Sequence, residues 1–189
     1  MLPQDQFEML VASAKADVDI EQTAQEVRAE FGSMFTPAGI ETLDPERFKA
    51  FLAYDGNRHW TYMHRWGGKL TADLSLLRKA LLALVDEDEP ILSDRIDIAR
   101  GMVDGLGNAT FSIILQLTHP TKYGLYDRVT GLGLERIGKH PKDAVPRFRS
   151  LSEGKQYEHI NRVLKELSTK YGISLWALDT IWGKAWNPR

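Results

Sequence analysis

Apolar residues recur along most of this chain at helical spacing, and nowhere do they alternate with period two for long enough to demand a sheet. Ile20, Ala24, Val27 and Phe31 fall on one helical face, and Asp19 with Gln22 three residues on resembles a capping box at its start. Asp44-Pro45 reads as an N-cap followed by proline at the first helical position, leading into Phe48, Phe51 and Leu52. Leu70, Leu74, Leu77 and Leu81 form a strong stripe, ended by Asp86-Glu87-Asp88-Glu89 and Pro90. A helix from about Ile91 to Val103 follows, with Ile96, Ala99 and Val103 on one side. Tyr157, Ile160, Leu164, Leu167 and Tyr171 repeat at helical spacing until Gly172 stops them. Ser174 is placed to cap a last helix carrying Leu175, Leu178 and Ile181. The pattern predicts an all-α protein, with residues 1–189 forming one domain.

Two stretches depart from helical periodicity. Residues 55–69 are aromatic, basic and glycine-flanked, and residues 138–155 are basic and punctuated by Gly and Pro. Both are predicted to be loops or short extended pieces. A third feature is sharper. After the helix ending near Val103, Gly105-Leu106-Gly107 predicts a tight turn, with a new helix opening at about Asn108. Glycine suits positive φ and close backbone approach, and Leu106 between the glycines is expected to plug into the core. The first N–H groups of the new helix form a natural phosphate site.

Composition narrows the chemistry. The 189 residues contain no cysteine, which removes disulfides, thiolate metal sites, iron–sulfur clusters and thiol nucleophiles. His59 and His64 are spaced for neither face of a helix, so no metal site is expected. Gly67-Gly68-Lys69-Leu70 and Glu153-Gly154-Lys155-Gln156 both lack the phosphate-loop spacing, and no Gly-x-Ser-x-Gly or zinc-protease His pair occurs. No apolar run approaches membrane-spanning length, Leu81–Val85 and Ile113–Leu115 being the longest. The first residues, Met1 to Asp5, do not read as a secretory signal, so a cytoplasmic location without membrane contact is expected.

The net charge of −2 gives no hint of nucleic acid until it is resolved by region. Residues 1–50 hold four basic and ten acidic side chains (−6), residues 51–100 hold seven and eight (−1), and residues 101–189 hold thirteen and eight (+5). The acidic N-terminal part is therefore set against a basic C-terminal half that contains the glycine turn.

The Gly105-Leu106-Gly107 turn between helices resembles the helix-hairpin-helix DNA-binding motif. In the DNA glycosylases built on that motif, the catalytic aspartate follows the second glycine by some twenty residues and opens the next helix. Here that position is Asp127, within Pro120-Thr-Lys-Tyr-Gly-Leu-Tyr-Asp-Arg-Val-Thr130. Bifunctional members carry a Schiff-base lysine two residues after the second glycine. Ala109 stands there, so the resemblance implies hydrolysis by water, no lyase activity and no cofactor.

From about Phe51 to Trp186 the chain also resembles an uncharacterised bacterial domain found fused to ATPases of restriction-type defence systems. The matching pieces are Asn57-Arg-His-Trp60, Leu74-x-x-Leu77-Arg78-x-Ala80-Leu81, Gly105-Leu-Gly107, Pro120-x-x-Tyr123-Gly124 and Ser174-Leu-Trp-x-Leu178-Asp179. That domain often has Asn where this chain has Asp127.

These resemblances imply a two-lobed helical domain with a cleft, whose hairpin and catalytic loop occupy residues 91–130. It would work as a monomer on double-stranded DNA, flipping out a damaged or modified base and cleaving its glycosidic bond. The expected phosphate contacts are Gly105, Gly107 and Asn108, helped by Arg128, Arg65 and Lys69, with Lys139, Lys142, Arg147 and Arg149 on the basic stretch. Trp60, Tyr62, His64, Trp66 and Tyr126 are the candidates for base pocket or wedge. Asp127 is the candidate catalytic carboxylate, and it is equally placed to be a plain N-cap. Two rival readings are a non-catalytic reader of modified or damaged DNA, and an interaction module docking through the C-terminal helices and exposed tryptophans.

Overall fold

The computed structural model describes residues 1–58, 62–89 and 91–186, with the backbone alone for Ala185 and Trp186, and among these residues there is no strand. Among the described residues twelve α-helices follow one another. They are α1 (Gln4–Ala16), α2 (Val18–Phe31), α3 (Pro37–Glu41), α4 (Pro45–Leu52), α5 (Tyr54–Asn57), α6 (Gly67–Leu70), α7 (Leu74–Val85), α8 (Leu92–Met102), α9 (Asn108–Thr118), α10 (Arg128–Arg136), α11 (Glu153–Tyr171) and α12 (Leu175–Trp186). Single 3-10 turns sit at Gly32–Phe35, Met63–Trp66, Pro141–Asp143 and Phe148–Ser150. No described helix is long and apolar enough to cross a membrane.

Local chemistry sets the boundaries. Asp44 accepts the N–H of Arg47 with Pro45 at the first position of α4, and Asp73 accepts the N–H of Leu76 at the start of α7. The Asp73 cap leaves Leu70 outside α7, in the short α6. Helix α2 begins earlier than its expected capping box. Asp17 is the cap, and Asp19 sits in the first turn, where its charge favours the helix dipole. Residues 55–69, expected as loop, contain α5, a 3-10 turn and α6 among their described members, because Met63, Gly67 and Leu70 bury at helical spacing.

Two apolar clusters form the core. The first gathers α2, α4, α7, α8 and α9, and the second gathers α1, α10, α11 and α12 around Phe7, Leu134, Leu164, Leu178 and Trp182. Helix α9 is buried almost all round, with Phe111, Ile113, Ile114 and Leu115 fully covered. Each such side chain contributes roughly 1.5–3 kcal/mol of transfer free energy, which explains the Ile113-Ile-Leu115 run. Helices α8 and α11 meet closely at Gly154, where a Cβ would fall 2.2 Å from the Ser93 carbonyl oxygen. The Gly154 N–H donates to Asp97 at 2.8 Å across the same contact.

Two of the C-terminal tryptophans are covered and offer no docking face. Trp176 and Trp182 are among the largest fully covered side chains, Trp182 stacking on Phe7 at 5.8 Å. The side chain of Trp186 lies outside the described residues, so the interaction-module reading loses two of its tryptophans to the core.

Candidate active site

Helix α8 ends at Met102, and the chain reverses through Gly105-Leu106-Gly107 into α9. Leu106 is buried, as expected of a plug. The two glycines differ. Gly105 has φ +95°, and a Cβ there would lie 3.1 Å from Cε3 of Trp66, so both conformation and space call for glycine. Gly107 has φ −79° and its nearest neighbour stands 4.0 Å away, so neither reason applies to it. Gly107 also supplies no capping side chain, so the first turn of α9 is uncapped by any described side chain. Arg100 fastens the turn from behind, donating to the Leu106 carbonyl at 3.0 Å and pairing with Glu153 of α11.

The loop from His119 to Asp127 is pinned to α9 and α11. Asn161 accepts the Gly124 N–H at 2.8 Å and donates to the Lys122 carbonyl, while the Tyr157 hydroxyl donates to the Gly124 carbonyl at 2.7 Å. Ser112 on α9 accepts the Tyr126 N–H at 3.0 Å. Asp127 follows in extended backbone, so its side chain points opposite to Tyr126. Its Oδ1 accepts the Thr130 N–H at 2.9 Å, and Thr130 Oγ accepts the Asp127 N–H in return, completing a capping box. Its Oδ2 accepts the hydroxyl of Tyr62 at 2.7 Å. Thr130 Oγ also lies 2.9 Å from Asp179 Oδ1 on α12.

These elements enclose a cavity of about 590 Å³. Its wall includes Tyr62, Met63, Trp66, the whole turn from Val103 to Thr110, Arg100, and Asp127, Arg128 and Val129. Asp127 is only 4% exposed, whereas Trp66 is 43% exposed and rests on Gly105. Burial, then the charge and hydrogen bond of Asp127 and the charge of Asp179, push the Tyr62 hydroxyl far above the ordinary phenol range. Tyr62 therefore stays protonated and acts as a donor. Lys69 lies 6.0 Å from the Trp66 ring and pairs with Asp104 of the turn at 3.2 Å.

Of the residues singled out in the sequence, Asp127, Tyr62, Trp66, Gly105, Gly107, Asn108 and Arg128 meet at this cavity, with Ala109 beside them. Trp60 lies outside the described residues. His64 and Arg65 are exposed on the 3-10 turn whose Met63 points inward, and neither lines the cavity. Tyr126 does not line this cavity. Facing away from Asp127, it packs between the two cores and against Tyr157, ring centroids 6.4 Å apart. Lys139, Lys142, Arg147 and Arg149 follow the far end of α10, roughly 13 Å of helix from Asp127, and none lines the cavity. Lys142 is paired with Glu135.

Asp179 and Arg100 carry parts of the site that spacing did not single out. A signal existed for Asp179: it is the one acidic residue within the apolar run Leu175–Trp182, and such a residue needs a buried partner. No protein-family model matches the chain, and comparison with curated proteins and with solved structures gives no match either.

Proposed function

We propose that this protein is a monofunctional DNA glycosylase of helix-hairpin-helix type, which flips a damaged or modified base from duplex DNA and hydrolyses its N-glycosidic bond. The observation that carries the reading is the convergence of a buried carboxylate, two aromatic side chains and an uncapped helix N-terminus on one cavity. The N–H groups of Asn108 and its neighbours, with Arg128 and Lys69, would grip the backbone phosphates. The exposed ring of Trp66 suits stacking on a base or filling the gap it leaves, between two helical lobes that form a cleft. Asp127 would take a proton from water as its oxygen bonds to the sugar C1′ and the C1′–N bond breaks. The base leaves with the bonding electron pair and takes up the proton that Asp127 accepted from water, and the strand keeps an abasic sugar. Ala109 offers no amine for a Schiff base, so strand cleavage by a lyase step is not part of the proposal.

The resemblance to the defence-associated domain extends this to modified bases of foreign DNA as substrates, met as a monomer in the cytoplasm. A second reading has its own support, since both oxygens of Asp127 already accept hydrogen bonds. An aspartate so engaged also suits a reader that binds the flipped base without hydrolysis. Incubation with a panel of duplexes carrying modified and damaged bases, scored for free base and alkali-labile sites, separates the two. Released base supports the glycosylase. Binding of a modified duplex with no release supports the reader.

A further inference from the structure

We propose that Asp179 is a positioning residue for Asp127: by holding the hydroxyl proton of Thr130, it leaves the Asp127 carboxylate with open acceptor positions on the cavity side. This rests on the reading of Asp127 as the working carboxylate. Thr130 Oγ has one proton and two carboxylate neighbours, Asp179 Oδ1 at 2.9 Å and Asp127 Oδ1 at 3.2 Å. The same oxygen accepts the Asp127 N–H at 3.3 Å. All three residues are buried, Asp179 at 8% exposure being the most accessible, so water is a poor substitute for any of these bonds.

The shorter contact takes the proton. Asp127 is then held by one donor on each oxygen, the Thr130 N–H on Oδ1 and the Tyr62 hydroxyl on Oδ2. An ionised carboxylate accepts about four hydrogen bonds, so about two positions stay open to a water in the cavity. Without the Asp179 carboxylate, the Thr130 hydroxyl turns to Asp127 Oδ1 and occupies one of them. A general base that spends its lone pairs on structural donors is a weaker base. Asp179 thus acts on Asp127 through Thr130, from a helix 49 positions further along the chain than that threonine.

The Cγ resonance of Asp127 in a carboxyl-¹³C-Asp-labelled protein, assigned with Asp127→Asn, reads this directly. Asp179→Ala, which removes the acceptor of the Thr130 hydroxyl, should shift that resonance in the parent, and in a Thr130→Val background it should shift it less than roughly half as far. Thr130→Ser, which keeps the hydroxyl, should preserve the full effect and serves if the valine variant does not fold. A shift that survives by more than half in the valine background, or no shift in the parent or the serine variant, overturns the proposal. On any duplex that releases base, Asp179→Ala should lower the single-turnover rate about tenfold with duplex affinity unchanged. Failure of the base-release panel leaves the resonance measurement standing, so the two readings fail separately.

Discussion

The Tyr62 hydroxyl donates to Asp127 Oδ2 at 2.7 Å, joining residues 65 positions apart across the wall of the cavity. The bond fixes the outer oxygen of a carboxylate whose inner oxygen is fixed by its own helix cap. Removing its donor is the most local perturbation of the site. Tyr62→Phe should cost about 1–2 kcal/mol in urea unfolding, as for a partly buried bond to a charged acceptor. The raised ionisation of Tyr62 also sets a sign. Its contribution should be complete below about pH 10, the unfolded value, and decline only as pH rises above it. Parent and Tyr62→Phe should therefore differ by a constant amount between neutral and mildly alkaline pH.

The two glycines of the turn should respond differently to alanine. At Gly105 the positive φ and the 3.1 Å approach to Trp66 make a Cβ costly, by roughly 1–3 kcal/mol. At Gly107 the open surroundings predict a change within about 0.5 kcal/mol. Thermal unfolding of the two variants side by side checks this, and equal losses would contradict the geometry of the turn.

A second polar cluster governs acid stability. Burial pushes the Glu87 carboxyl up, but hydrogen bonds from Lys122, Tyr123 and Arg95 outweigh it and hold its pKa at about 2. The Arg95 side chain is only 3% exposed, so loss of Glu87 strands a buried cation. Glu87→Gln should destabilise by roughly 2 kcal/mol at neutral pH. The lowered pKa places this stability above the unfolded value of about 4.3, and it is lost as pH falls toward about 2. The gap between parent and variant should therefore close over that acid range in thermal melts.

Asp104 is an acid at the edge of the proposed DNA surface, paired with Lys69. Asp104→Asn removes a charge that repels phosphate and frees Lys69 to meet one. Affinity for a duplex should rise several-fold, and the slope of log affinity against log salt should steepen by about one. Unchanged affinity and slope would place the turn away from the DNA backbone.

Much of the helical layout was legible because a buried helix face repeats its apolar residues and its caps are local. The α4 and α12 starts, the glycine turn and the Asp127 cap all depend on residues a few positions apart. What local pattern leaves open has equally physical causes. Gly105 and Gly107 look alike in sequence, and only the backbone conformation and the position of Trp66 tell them apart. Tyr126 and Asp127 are adjacent, but extended backbone sends them to opposite sides. Contacts such as Tyr62 to Asp127 and Thr130 to Asp179 join segments far apart in the chain, so no local pattern encodes them. The basic stretch from Lys139 to Arg149 was visible as charge, yet that none of its side chains lines the cavity follows from the folding of the chain beyond α10.

Asp127→Asn tests the central claim because asparagine caps a helix about as well as aspartate. Its side-chain oxygen can still accept the Thr130 N–H, so the fold should hold, at a cost of no more than the about 1–2 kcal/mol of the Tyr62 bond, while the proton acceptor is lost. The decisive measurement is free-base release by parent and variant, under single turnover, on the duplex of the panel that the parent cleaves fastest. The account predicts release by the parent and a loss of at least roughly 100-fold in the variant. Equal release by both proteins, or no release by the parent from any duplex, would contradict it.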